Sequence, residues 1–92
     1  MSLVGGQDLG LQMQQSFKNC GIALAAGGAT PADVVRQCIY LVNQSAPNID
    51  TIVARTAEFY APGELPPSTL IGIQALAFPE FLVEIGVTAI ID

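Results

Sequence analysis

Histidine is absent from this chain of 92 residues, and only Lys18, Arg36 and Arg55 are cations. Without an imidazole, histidine-based acid–base catalysis and most zinc sites are excluded; neither a metal nor a cofactor is expected. Phosphate-backbone binding depends on clustered lysine and arginine. Three scattered cations in a chain of net charge −5 make nucleic acid an unfitting partner, and an anionic membrane surface equally so. No apolar run reaches the roughly 18–20 residues of a membrane span, because Glu64, Glu80 and Glu84 interrupt the C-terminal third. A positively charged start followed by an apolar core is missing, so no signal peptide is expected. With two cysteines, Cys20 and Cys38, free thiols are favoured over a disulfide. The expected location is the cytoplasm.

Charge itself is scarce. Charged residues make up 12% of the chain against 51% hydrophobic, when a soluble domain usually carries about 25% charged. The length fits one domain, residues 1–92, and a body of that size has too high a surface-to-volume ratio to hide so much apolar surface alone. Oligomerisation is the first inference.

What is present organises around the stretch from Leu65 to Ile91, which reads as two β-strands joined by a short proline-containing connection. From Phe81 to Ile91, period two puts Phe81, Val83, Ile85, Val87, Ala89 and Ile91 on one apolar face. Leu82, Glu84, Gly86, Thr88 and Ile90 fall on the other. The preceding strand, from about Thr69 to Leu76, follows Pro66-Pro67 and is largely apolar on both faces. Since one face of an antiparallel sheet is usually wet, a second copy of the chain is expected to cover it here.

Residues 1–6 read as a short lead-in. Leu9, Met13, Phe17, Cys20 and Leu24 then make one apolar stripe at helical spacing, with Gln12, Gln15, Lys18 and Asn19 on the remainder. With Asp8 as N-cap and Gly27-Gly28 as the stop, a helix is expected from about Leu9 to Ala26. Thr30-Pro31-Ala32-Asp33 is a single capped turn. Val34 to Val42 is β-branched and aromatic, and apolar on both faces as a central strand would be. A second helix starts near Pro47, with Ile49, Ile52, Val53, Thr56, Phe59 and Tyr60 expected inside and Asp50, Arg55 and Glu58 outside. Ala61-Pro62-Gly63 ends it. The order helix, strand, helix, strand, strand is α+β, with two helices on one face of a small sheet. Three strands are few for so much apolar surface.

The stretches GGQDLGLQMQQSFKNCGIALAAGGATPADVVRQCIYL, the helix ending in EFY, then PPSTL and FLVEIGVTAI resemble the Rid family, also called YjgF or endoribonuclease L-PSP-like. The resemblance covers residues 5–91. It implies a chorismate-mutase-like α+β fold with a small mixed sheet, a homotrimer with intersubunit small-molecule clefts, and hydrolytic deamination of reactive enamines or imines. Family members usually begin with two further strands carrying GPY and SGQ segments, so the chain is expected to be N-terminally truncated relative to them. The open sheet edge this implies is expected to be covered in part by Ser2 to Gly6.

Two departures bear on activity. Where the family's deaminases have an arginine that grips the substrate carboxylate, this chain has Ser68, within Pro66-Pro67-Ser68-Thr69. A serine brings neither charge nor a bidentate fork. The family glutamate of the last strand, placed there to position water, corresponds to Glu84, while the second acid of the usual Glu-Ile-Glu is Gly86. The resemblance also sets Val53 at an asparagine position.

Glu84 is thus the candidate catalytic residue, and Ser68, Thr69 and Leu70 are the candidate ligand-binding residues. Glu84 reads either as a carboxylate at a wet subunit seam or as a water-positioning group. Ser68 and Thr69 read as residues that open a strand or as ligand contacts, and Cys38 and Tyr40 as packing. Two functions stay open: an enamine/imine deaminase-type hydrolase, or a trimer that binds a small molecule without turnover. The absence of histidine and of a basic patch speaks against ribonuclease activity.

Overall fold

The computed structural model describes residues 8–91. The segment Ser2 to Gly6, expected to cover part of a sheet edge, lies outside them. Helix α1 spans Leu9–Ala26, a 3-10 turn Pro31–Asp33, strand β1 Val34–Val42, helix α2 Ala46–Phe59, strand β2 Ser68–Ile73 and strand β3 Val83–Ala89.

The local signals act as their chemistry requires. Asp8 caps α1, its carboxylate accepting from the Leu11 amide at 2.9 Å, and Ser45 caps α2 by accepting from Asn48. Asp33 closes the 3-10 turn, its carboxylate accepting from the Thr30 amide at 2.8 Å. Past α1, Gly28 takes a φ of 80°, a left-handed conformation that glycine adopts without a Cβ penalty.

The sheet has the order β2-β1-β3, with β1 parallel to β2 and antiparallel to β3. The last two strands are therefore not neighbours. β1 has the longest apolar run on both faces and takes the centre, and residues 74–82 carry the chain from one edge to the other. β2 ends at Ile73 rather than near Leu76 because its partner ends first. Ile73 pairs with Val42, the last residue of β1, and Asn43 then turns away at a φ of 62°.

Both helices pack on one face, over a core of Met13, Phe17, Leu24, Ile39, Leu41, Ile52, Tyr60 and Val83. Phe17 stacks on Phe59 at 4.7 Å, and Tyr60 meets both rings edge-on. The two cysteines are free. Two expectations about the helix faces change. Val53 is 63% exposed on the outer side of α2. Gln12, assigned to the polar side of α1, is buried.

The Gln12 side chain explains its own burial. Its amide nitrogen donates to the Glu80 carbonyl at 3.0 Å and its oxygen accepts from the Leu82 amide at 2.9 Å. It thereby fastens the connection between β2 and β3 to α1. Gln12→Ala would strip these partners, at about 1–3 kcal/mol for a donor left without one. Hydrogen exchange at the Leu82 amide is expected to quicken by roughly one to two powers of ten. Exchange there unchanged, with the fold intact, would refute the clamp.

Candidate functional site

Cross-strand register sorts the sheet residues into rows, since paired residues share a face. On the helix side the rows are Ser68–Gln37–Val87, Leu70–Ile39–Ile85 and Gly72–Leu41–Val83. On the other side they are Thr69–Cys38–Gly86 and Ile71–Tyr40–Glu84, flanked by Arg36 opposite Thr88 and by Val42 opposite Ile73. Burial follows the same split. Gln37, Ile39 and Leu41 are buried, whereas Cys38, Tyr40 and Val42 are half-buried and Thr69, Ile71 and Glu84 exposed.

The four candidate residues are therefore divided. Thr69 and Glu84 lie on the open face. Ser68 and Leu70 lie on the helix face, where Leu70 packs against the core. Ser68 begins β2, and its hydroxyl accepts from the Gln37 side-chain amide at 3.0 Å. Gln37 in turn accepts from the Tyr60 hydroxyl at 2.7 Å, and its backbone amide donates to the Pro67 carbonyl at 3.0 Å. Burial pushes the Tyr60 phenol up to about 12, with a smaller contribution from Cys20. Ser68 thus ends a buried polar chain on the side of the sheet away from Glu84.

The open face has a different chemistry. Tyr40 sits between Ile71 and Glu84 in its row, and adjacent strands lie about 4.8 Å apart. Its phenol is pushed above its usual value, first by hydrogen bonding with Cys38, then by that group's charge, with Glu84 adding and Arg36 opposing. Phenol, thiol, carboxylate and guanidinium thus lie on one face of the sheet, with Arg36 and Glu84 four residues apart along it. Gly86 leaves open space between them, since a Cβ built there meets nothing within 4 Å.

Cys38 and Tyr40, read as packing, are half-buried on this face. The alternation along β1 carried the signal: Gln37, Ile39 and Leu41 share one face, so Arg36, Cys38 and Tyr40 share the other.

The family model described as Endoribonuclease L-PSP matches residues 1–91. The chain belongs to that family, the Rid or YjgF proteins. A conserved Rid-family protein of unknown function from Yersinia pestis is 48% identical with a TM-score of 0.93, covering 98% of this chain and 68% of its own. A YjgF-family member from Mycobacterium tuberculosis is 30% identical with a TM-score of 0.84, covering 95% and 71%. A YjgF-family protein from Neisseria meningitidis is 26% identical with a TM-score of 0.83, covering 94% and 70%. No curated protein sequence matches the chain.

These likenesses bear out the Rid resemblance and the α+β, chorismate-mutase-like fold, with two helices on a three-stranded mixed sheet. Among the described residues, no helix is long and apolar enough to cross a membrane.

Proposed function

We propose that this Rid protein binds a small molecule on the open face of its sheet, in clefts that neighbouring copies complete in a homotrimer. Glu84 is the polar group that meets the ligand or its attacking water. The row Ile71–Tyr40–Glu84 carries this reading, because it sets a carboxylate beside a phenol and apolar surface on the face the helices leave uncovered.

Family likeness adds a reaction, the hydrolytic deamination of reactive enamines or imines. Such hydrolysis needs a positioned water and a held substrate. Glu84 suits the first task. For the second, the deaminases' arginine is replaced by Ser68, whose hydroxyl is engaged by Gln37 on the opposite face. We therefore expect ammonia release from freshly generated amino-acid imines to be slower than in relatives carrying the arginine, and lost in Glu84→Gln. Turnover at a relative's rate, unaffected by Glu84→Gln, would refute the assignment. Saturable ligand binding without ammonia release would identify a binding protein instead.

A further inference from the structure

We propose that the outer edge of β3 is a self-pairing surface, on which a second copy of this chain adds its own β3 antiparallel, about a twofold axis through Gly86. The pairing uses backbone groups at the edge and leaves both faces of the sheet free, so it does not depend on the open-face site.

The hydrogen bonds at the two ends of β3 fix which way its backbone points. The Leu82 carbonyl accepts from the Val42 amide at 2.9 Å, and the Ile90 amide donates to the Asp33 carbonyl at 3.1 Å. Along an antiparallel strand the N–H and C=O of one residue point to one side, and those of the next residue to the other. Glu84, Gly86 and Thr88 therefore turn theirs to β1, while Val83, Ile85, Val87 and Ala89 turn theirs outward. β1 agrees, since Gln37, out of phase with Val42, sends its amide to the Pro67 carbonyl on the β2 side. Among the described residues the sheet ends at β3, so this outward row has no strand beside it.

Nothing in the strand guards that edge. Natural edges are blunted by lysine, proline or a bulge. Val83–Ala89 contains neither lysine nor proline, and the register shift of this pair falls on β1, between Val34 and Arg36. The other edge strand, β2, is entered through Pro66-Pro67.

The strand is also self-complementary about Gly86. Pairing centred there sets Val83 opposite Ala89 and Ile85 opposite Val87. These are the outward residues, so each pair exchanges both of its hydrogen bonds. On the helix face the pairs are apolar and continue the core, against which Ile85, Val87 and Ala89 pack while only partly buried. On the open face Glu84 meets Thr88, whose hydroxyl can donate to the carboxylate. An axis through Glu84 would instead set two like charges opposite each other and shorten the overlap. Each backbone bond nets little once water is counted, and association has an entropic cost of its own. This pairing is therefore weaker than burial of a sheet face, and it belongs to high protein concentration.

Amide hydrogen exchange followed by NMR on the whole chain, from millimolar to micromolar protein, is the test. The Ile85 and Val87 amides should be protected at the high end and lose roughly tenfold or more of that protection on dilution. The Gly86 and Thr88 amides, bonded to β1, should keep theirs. Disulfide trapping checks the register. With Cys20→Ser and Cys38→Ser removing the native thiols, Gly86→Cys should cross-link to itself, because a pair without mutual hydrogen bonds sets its Cα atoms about 4.5 Å apart, within a disulfide's range. Thr69→Cys, in the same row at the other edge of the sheet, should not. Outward amides that exchange freely at every concentration, or that stay equally protected at every dilution because their own chain covers them, would overturn the proposal. So would a Gly86→Cys chain that stays uncross-linked, or one matched by Thr69→Cys, the result that contact between faces would give.

Discussion

Ile71→Lys is expected to break the assembly, leaving a monomer that is poorly soluble or prone to aggregate. Ile71 belongs to the open-face row with Tyr40 and Glu84 and is 38% exposed in the single chain. Ile90, which continues the same alternation, is 64% exposed. With 12% charged residues, the chain has little else with which to hold apolar surface in water. Burying an isoleucine contributes about 1.5–3 kcal/mol, so in the proposed trimer its loss from three copies removes roughly 5–9 kcal/mol. That amounts to about three to six powers of ten in the association constant, before the cost of burying lysine's charge. Val53→Lys is the control. Val53 is equally apolar and more exposed, at 63%, but it lies on α2, which packs on the opposite side of the sheet, and its substitution should leave the assembly intact. Sedimentation decides between the two faces. A wild-type monomer stable at micromolar concentration, or dissociation by Val53→Lys and not by Ile71→Lys, would show that the sheet face is not the interface.

Most of the fold was legible because its signals are local. The stripe from Leu9 to Leu24, the Asp8 cap and Gly27-Gly28 place α1 at the bounds it adopts, and the β-branched run Val34–Val42 fixes β1 equally well. Strand order was not local. Nothing within Ser68–Ile73 or Val83–Ala89 states that β1 separates them, and the end of β2 depends on where Val42 stops. Gln12 was misplaced because helical spacing counts polarity, whereas its burial depends on backbone groups 68 and 70 residues away. Val53 was misplaced by the opposite error, an apolar residue read as inward.

The candidate site was half legible. Period two put Glu84 on the less apolar face of its strand, but Ser68 and Thr69, adjacent in sequence, point to opposite sides of the sheet. The arrangement of Arg36, Cys38 and Tyr40 opposite Glu84 and Gly86 needed the register of β1 against β3. The three cations look scattered in the sequence. In the fold, two of them line one groove between the helices and the third lies on the open face.

Gln37→Leu is expected to destabilise the protein far more than its conservative volume suggests, and Tyr60→Phe should repair the damage. Gln37 is 1% exposed, Tyr60 is 3% exposed, and the Tyr60 hydroxyl donates to Gln37 at 2.7 Å. Leucine leaves that buried hydroxyl without an acceptor, a cost of about 1–3 kcal/mol. Ser68, being exposed, can exchange its lost partner for water. For a domain of this size each 1 kcal/mol lowers Tm by roughly 4–8 °C. Removing the hydroxyl as well makes both partners apolar, so Gln37→Leu with Tyr60→Phe should melt above Gln37→Leu alone when compared at one protein concentration. Alkaline pH gives a second readout. Burial raises the Tyr60 phenol to about 12, against about 10 in an unfolded chain. The neutral phenol is favoured by folding, so its contribution is complete below about pH 10 and is lost as pH rises toward 12. Tyr60→Phe should flatten that part of the alkaline decline. Equal melting temperatures for Gln37→Leu with and without Tyr60→Phe would mean that the pair is not coupled, and that Gln37 is held by its contacts to Ser68 and Pro67 alone.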